Sequence, residues 1–289
     1  MNEKELQALV NLLDDPNNEI FEVIQPRLLN QGTEIIPFLE KAWENSFNEL
    51  FQQRIEDIIQ KIQFSNTSNA LSNWANTQSD NLLEGAYLIA KYQYPDIDYD
   101  DILKKIDIIK QDIWLELNEN LTALEKIKII NHILFEIHGF RRNSTNFYSP
   151  QNYYINNVLE TKKGNPISLS IIYAVIAHKL NLPIYGINLP KNFILAYKDE
   201  LVAKHAFEDD NDEGVLFYIN PYNKGAVFGK REIDFFIKQY KLEYQKSYFT
   251  PCSNKEIIKR LIINLIETYK NLGYPNKITD LEILKKKLD

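Results

Sequence analysis

The stretch that decides the fold is ETKKGNPISLSIIYAVIAHKLNLPIYG, residues 160–186. Asn165 can cap a helix, and Pro166 suits the first helical position because no N–H is needed there. Apolar side chains then follow on nearly every side, as is typical of a helix buried all round. They are Ile167, Leu169, Ile171, Ile172, Val175, Ile176 and Leu180. The stretch therefore predicts a central buried helix, with Ser168 in its first turn and Pro183 beyond its end.

Composition and charge limit the classes of protein to consider. The chain has 289 residues, 44% of them hydrophobic and 12% aromatic, as expected for a folded protein with a substantial core. A net charge of −7 argues against a nucleic-acid partner, because phosphates need a clustered basic face. No apolar run approaches the ~20 residues that span a bilayer, and the N-terminus has no signal-peptide pattern. With one cysteine, Cys252, the chain forms no internal disulfide. We expect a cytoplasmic protein without a membrane partner.

The first half of the chain predicts helices throughout. Residues 1–64 form a helical segment whose sequence LLDDPNNEIFEVIQPRLLNQGTEIIPFLEKAW, residues 12–43, resembles a HEAT-type repeat. Because no full repeat series follows, a helical cap is favoured over a peptide-binding solenoid. The Asn/Ser/Thr-rich stretch 65–79 is predicted as a loop, with a short helical piece around Trp74. Helical periodicity resumes in a lead-in over residues 80–160.

Strand patterns appear only in the second half. Ile184–Leu189 and Phe193–Tyr197 predict a strand pair, and Val215–Ile219 predicts a third strand before a turn at Tyr222–Gly225. Residues 251–289 predict a helical hairpin that resembles a tetratricopeptide unit. The predicted fold class is therefore α+β, mainly helical with a small antiparallel sheet.

Five short motifs resemble the transglutaminase-like superfamily, and within it the SirB-type branch of bacterial proteins. They are LLEGA at 82–86, FRRN at 140–143, GNPISL at 164–169, FIL at 193–195 and NPY at 220–222. The resemblance implies a papain-like core, in which a central buried helix packs against a small antiparallel sheet. It places the domain at residues 80–250, with its core at 160–240.

The resemblance also implies a site, whose residues this chain lacks. The superfamily uses a Cys nucleophile, a His base and an Asp, and the matching positions here carry Ser168, Asn192 and Asn220. A serine hydroxyl needs a general base, and an Asn amide does not accept a proton at neutral pH. We interpret Ser168 as a first-turn residue bonded to the local backbone, and the two Asn as turn residues. This pattern is that of a pseudoenzyme.

Several residues offer alternatives to that interpretation. His205, in the loop between strands, is the one histidine that we predict could replace the missing base. Cys252 precedes a helix N-terminus, where thiolate is favoured, but a structural thiol is the preferred interpretation. Glu160, Asn165 and Arg141 are candidate binding residues near the start of the central helix.

No cofactor or metal is predicted. The acidic run Glu208–Glu213 before Gly214 begins like a calcium loop, but the twelfth position is Asn220 instead of Glu. No Cys/His cluster, Walker loop or dinucleotide fingerprint occurs.

The leading hypothesis is a non-catalytic peptide- or protein-binding or scaffolding protein, built on a transglutaminase-like core. The alternative is a hydrolase or acyl transferase that uses Ser168 with an unrecognised base.

Overall fold

The chain divides into two compact units, Met1–Ala70 and Leu71–Asp289. The structure, a computed structural model, describes residues 2–200, 202 and 214–289. Two residues or segments discussed above lie outside these ranges. They are His205, the candidate replacement base, and the acidic run Glu208–Glu213, which begins like a calcium loop. The predicted hairpin 251–289 falls within the second unit, together with the predicted domain 80–250.

Helices account for most of the described residues. Their bounds are α1 Glu3–Asn11, α2 Asn18–Leu29, α3 Ile36–Glu44, α4 Glu49–Thr77, α5 Leu82–Gln93, α6 Tyr99–Glu116, α7 Ala123–Asn131, α8 Ile155–Thr161, α9 Pro166–Lys179, α10 Lys230–Gln239, α11 Asn254–Leu272 and α12 Pro275–Lys286. A π-helical turn, His132–Ile137, continues α7. The α+β prediction is confirmed, because the strands form only a small sheet beside these helices.

The first unit has a core of its own around one buried arginine. Its fully buried apolar residues include Val10, Leu13, Leu28, Leu39, Ile55 and Ile58. The Arg54 guanidinium donates hydrogen bonds to Leu13 O at 3.0 Å and Asn18 Oδ1 at 2.9 Å, and lies over the Phe21 ring. A buried charge is tolerated only when its donors are satisfied, as they are here. Arg54 therefore ties the turn after α1 to α4.

The predicted loop at residues 65–79 is wrong, because α4 continues to Thr77. Leu71 and Trp74 in this stretch are fully buried, and the Trp74 indole N–H donates to Asn81 O at 2.8 Å. The Trp74 ring also occupies the space beside Gly85, where an added Cβ would lie 2.5 Å from it. Packing of these apolar residues outweighs the weak helix propensity of their Asn, Ser and Thr neighbours.

The central helix of the second unit is α9, as predicted. Each of its residues from Ile167 to Ala177 is buried. Asn165 caps it and Pro166 occupies its first position, so its N-terminus begins where the sequence indicated. The chain leaves the helix through Asn181, which holds a left-handed φ of 56°. Burial on all sides makes α9 the element around which the second unit is packed.

The main sheet has four antiparallel strands in the order β3-β4-β5-β6. The bounds are β3 Ile184–Ile187, β4 Ile194–Lys198, β5 Val215–Asn220 and β6 Ala226–Phe228. The first three strands match the predicted runs, and β6 was not predicted. A second, two-stranded parallel ladder joins β1 Arg141–Arg142 to β2 Lys163–Gly164. Both strands of this ladder are two residues long, too short to give a period-2 pattern.

Candidate functional site

The start of α9 is closed by a reciprocal pair of hydrogen bonds. Asn165 Oδ1 accepts from Ser168 N at 3.0 Å, and Ser168 Oγ accepts from Asn165 N at 3.0 Å. Both residues are buried, with 2% and 3% of their surface exposed. The Ser168 hydroxyl is also 3.4 Å from Asn165 O. The hydroxyl therefore serves the helix cap, which agrees with the interpretation of Ser168 as a first-turn residue.

The β1–β2 ladder brings Arg142 to the same side of the backbone as Ser168. Gly164 lies so close to Ser168 that an added Cβ would be 2.7 Å from its Oγ. Arg142 is the register partner of Gly164, and paired residues place their side chains on one face. The exposed Arg142 thus emerges beside the helix start. The sequence proposed Arg141 as a binding residue, and the strand register adds Arg142, which no local pattern distinguishes from its neighbour.

The two asparagines at family positions lie at one end of the sheet. Strand β4 begins two residues after Asn192, and β5 ends at Asn220. The antiparallel register pairs Leu195 with Ile219, so Asn192 and Asn220 fall at the same edge. The hydroxyl of Ser170, the fifth residue of α9, donates to Phe193 O at 3.4 Å. This end of the sheet and the start of α9 therefore lie next to each other.

A turn following β5 is fastened to the central helix through Asn131. Asn131 Oδ1 accepts from the Tyr173 hydroxyl at 3.0 Å, and its Nδ2 donates to Gly225 O at 2.8 Å. Gly225 N in turn donates to Asn220 O at 2.9 Å. Asn131 thus fixes the turn that carries Asn220. Nothing in the local sequence indicated this role, because Asn131 and Gly225 are 94 residues apart.

The three family positions share no direct hydrogen bond in the described part of the chain. The Asn220 side chain instead accepts from Asn223 N at 3.3 Å and so caps the short turn Pro221–Asn223. Ser168 is bonded to Asn165, as given above. None of the three side chains ionises near neutral pH. The three residues therefore provide polar, uncharged groups at the positions for which the resemblance predicted a nucleophile, a base and an acid.

Each histidine in the described ranges forms its hydrogen bonds with groups other than Ser168. His132 pairs with Glu136 at 2.9 Å, His138 pairs with Asp112 at 2.8 Å, and His178 Nε2 is 2.7 Å from Ile184 O. A general base must reach its proton directly or through one water. Within residues 2–200, 202 and 214–289, no imidazole is bonded to the Ser168 hydroxyl.

The thiol of Cys252 is in the wrong environment for a nucleophile. Burial, followed by the nearby carboxylate of Glu256, raises the pKa of Cys252 to about 12. A thiol with so high a pKa is almost wholly protonated at neutral pH, and the thiolate is the reactive form. The backbone of Cys252 meanwhile donates to Gly186 O at 2.8 Å on strand β3. These observations agree with a structural thiol.

The remaining binding candidates differ in their surroundings. Glu160 is exposed near the end of α8 and makes no ion pair among the described residues. The Arg141 backbone donates to Lys162 O at 2.8 Å, and its guanidinium donates to Gly139 O at 3.3 Å. The Asn165 side chain caps α9, as described above. No group of three or more His, Cys, Asp or Glu in the described ranges could hold a metal ion. Of the helices in those ranges, none is long and apolar enough to cross a membrane.

Comparison with known proteins agrees with this geometry. The profile of the Transglutaminase-like superfamily matches residues 100–263, more than half of the chain. The chain belongs to the transglutaminase-like superfamily. The match includes the cap of α9, the edge of the sheet at Asn192 and the turn at Asn220. Membership of the transglutaminase-like superfamily therefore rests on the region that holds the candidate site.

Curated relatives of this transglutaminase-like chain come from bacteria and mammals. It is 26% identical over 200 residues to a UPF0162 protein of Xylella fastidiosa strain 9a5c, covering 66% of this chain and 65% of the relative. It is 30% identical over 156 residues to a UPF0162 protein of strain Temecula1, covering 53% and 50%. It is 26% identical over 216 residues to F-box only protein 21 of Mus musculus, covering 67% and 33%. The chain thus spans between one third and two thirds of the length of these relatives. No solved structure matches it.

Proposed function

We propose that this transglutaminase-like protein is a non-catalytic peptide- or protein-binding member of the SirB-type branch, and that it works in the cytoplasm. The observation that carries the proposal is the Ser168 hydroxyl, which is buried in the helix cap with Asn165. A nucleophile must be free to approach a carbonyl carbon, whereas this oxygen already accepts a backbone hydrogen bond. Asn192 and Asn220 provide neither a base nor a carboxylate.

Exposed aromatic side chains near the sheet edge support a binding role. Phe147 and Tyr148 are 42% and 69% exposed, and their ring centroids are 5.1 Å apart. The Phe147 ring also lies 6.3 Å from that of Tyr222, in the turn after Asn220. Large aromatic groups on a surface are typical anchors for peptide and protein partners. The three rings would contact a peptide lying across the start of α9.

The helical segments at both ends add further surface in this proposal. Residues 1–64 are proposed as a HEAT-like segment and residues 251–289 as a tetratricopeptide-like hairpin. Helical repeats of these kinds commonly provide partner surfaces. The protein would then act as a scaffold, with the transglutaminase-like core as one of its contact regions.

A serine-directed fluorophosphonate probe tests the absence of catalysis. We expect no adduct at Ser168 after incubation of the native protein at pH 7 to 9, because no base removes the hydroxyl proton. Mass spectrometry of the intact protein and of its peptides gives the measurement. The matched control is Ser168→Ala. A probe adduct on Ser168 that is absent from this variant would overturn the proposal in favour of a hydrolase or acyl transferase.

A displayed random peptide library tests the binding role. We expect selected peptides to bind the native protein and to lose at least tenfold in affinity on Phe147→Ser/Tyr148→Ser. The control pair is Phe235→Ser/Tyr244→Ser, whose aromatic side chains are similarly exposed at 69% and 64%. Failure to select any peptide, or equal weakening by both double variants, would contradict a peptide site at the start of α9.

A further inference from the structure

Charge is distributed unevenly along this acidic chain. Between Glu136 and Asp199 there is one carboxylate, Glu160, against seven lysines and arginines. No acidic residue occurs from Gly214 to Arg231 either. The whole chain nevertheless carries a net charge of −7. The two regions that form the candidate site are therefore basic within an acidic protein.

The fold collects five of these cations, together with Lys105 of α6, around the start of α9. Arg141 pairs with Lys163 across the β1–β2 ladder, and Arg142 is next to Gly164. Lys224 ends the turn Pro221–Asn223, which packs against β1. Lys162 immediately precedes β2, and Lys105 of α6 is close enough for its charge to act on Lys162. We call this set the basic rim: Lys105, Arg141, Arg142, Lys162, Lys163 and Lys224.

The basic rim has no acidic partners among the described residues. None of its six side chains forms an ion pair there, although all are exposed or half-buried. Neighbouring carboxylates are already engaged, because Asp101 pairs with Lys104 and Asp112 pairs with His138. Glu160 is exposed and unpaired within the same ranges. The rim therefore presents a local positive potential to solvent.

Keeping lysines at these positions has a cost for the folded protein. Lys162 and Lys224 hold left-handed φ values of 58° and 51°, where glycine would be favoured. Burial, and next the like charge of Lys105, lower the pKa of Lys162. Strained backbone conformations are often retained at functional sites. Both features concern the same cluster of cations.

We propose that the basic rim binds an acidic segment of a protein partner, one with several Asp or Glu side chains close together in sequence. This inference rests on the proposed peptide-binding function and names the chemical class of its partner. Arg142 pairs with Gly164, just before the cap of α9, and a guanidinium can bind a carboxylate in bidentate fashion. Electrostatic complementarity would select acidic segments although the whole protein is acidic.

The aromatic rings beside the rim favour a peptide over a nucleic acid. Phe147 meets Tyr148 at an interplanar angle of 88° and Tyr222 at 75°, so the rings pack edge to face. A single-stranded nucleic acid needs open ring faces on which successive bases stack. The three rings instead pack against one another and form a single apolar cluster. Such a cluster suits contact with one peptide side chain that is flanked by acidic residues.

Fluorescence anisotropy with a designed peptide pair tests the proposal. The probe is a fluorescein-labelled peptide of ten residues that alternates Glu with Gly, and its neutral partner alternates Gln with Gly. We expect the acidic peptide to bind at least tenfold more tightly, with an affinity that falls as salt is raised. Arg141→Gln/Arg142→Gln should weaken it at least fivefold. The control Arg231→Gln/Lys238→Gln removes the same charge from exposed positions on α10 and should leave it unchanged.

Three outcomes would overturn the inference. Equal affinity for the acidic and neutral peptides would show that charge does not select the partner. Equal weakening by the two double variants would show a general effect of net charge. Tighter binding of a labelled oligothymidine than of the acidic peptide, lost in Arg141→Gln/Arg142→Gln, would identify the rim as a nucleic-acid surface. If neutral peptides selected from the library still required Phe147 and Tyr148 for binding, the proposed peptide-binding function would stand although this inference had failed.

Discussion

Ser168 and Asn165 each accept a hydrogen bond from the other's backbone N–H, at 3.0 Å in both directions. The hydroxyl that the sequence resemblance assigns to the nucleophile position is thereby part of the helix cap. The sulfur of a Cys at this position would accept a hydrogen bond only weakly. Its thiol would be more acidic than the serine hydroxyl and so more easily converted to a nucleophile. The Ser168 side chain of this protein therefore stabilises the start of α9.

Ser168→Ala should destabilise the protein by about 1–3 kcal/mol, because it leaves the buried Asn165 N–H without its acceptor. Urea unfolding followed by circular dichroism measures the change. Ser144→Ala, at an exposed loop position, is the control and should change stability by less than about 0.5 kcal/mol. If the two variants were equally stable, the cap would not be the role of Ser168.

Restoring the superfamily residues tests whether the geometry still supports a reactive thiol. The variant Ser168→Cys/Asn192→His/Asn220→Asp should react with iodoacetamide at pH 6 faster than Cys252 does. Imidazolium and the helix N-terminus would both stabilise thiolate at residue 168. The single variant Ser168→Cys is the control and should react more slowly than the triple variant. Equal rates would mean that the three positions do not converge closely enough to act together.

The half-buried thiol of Cys252 should make stability fall at alkaline pH. Its pKa is raised to about 12, against about 8.5 in an unfolded chain, so between these values the folded state holds a proton that the unfolded state has lost. Unfolding is then favoured as pH rises. From pH 8 to 9.5 we expect a loss of about 1 kcal/mol in the free energy of unfolding. Cys252→Ser should flatten this dependence, and an unchanged slope would contradict the raised pKa of this thiol.

Ile172→Ala should cost about 2–5 kcal/mol in stability through lost burial and the cavity left in the core. Ile172 is 1% exposed, and Leu169 and Ile176 on the same helix are equally buried, as the sequence predicted. Ile108→Ala on α6 is the control, because Ile108 is 57% exposed. Chemical denaturation of both variants gives the comparison. Similar losses in the two would mean that α9 is peripheral.

Gly225→Ala should be more damaging than Gly273→Ala, although both glycines hold a left-handed φ of 70° or 76°. An added Cβ at Gly225 would lie 1.9 Å from the Asn131 side chain, while Gly273 has nothing within 4 Å. The two variants share the backbone strain, so their difference isolates the contact with Asn131. We expect about 1–3 kcal/mol more destabilisation at Gly225, measured by urea unfolding. No difference would show that Asn131 moves freely.

The sequence by itself determined the elements whose signals are local. Apolar residues on all sides predicted the burial of α9, and the pair Asn165 and Pro166 predicted its first turn. Short apolar runs separated by turn residues predicted β3, β4 and β5, since such a run is a property of neighbouring residues. The assignment of Ser168, Asn192 and Asn220 to the superfamily's Cys, His and Asp positions also came from the sequence, and it stays a prediction.

Only the tertiary structure decided the features that depend on distant residues. The helical state of 65–77 follows from burial of Leu71 and Trp74, which outweighs the propensity of their polar neighbours. Asn131 reaches Gly225 across 94 positions, and Arg142 acquires its place from pairing with Gly164. Helix periods and caps act over a few residues, whereas packing and strand register join segments that no local pattern connects. The basic rim has the same origin, because its cations come from four separate stretches that meet only in the fold.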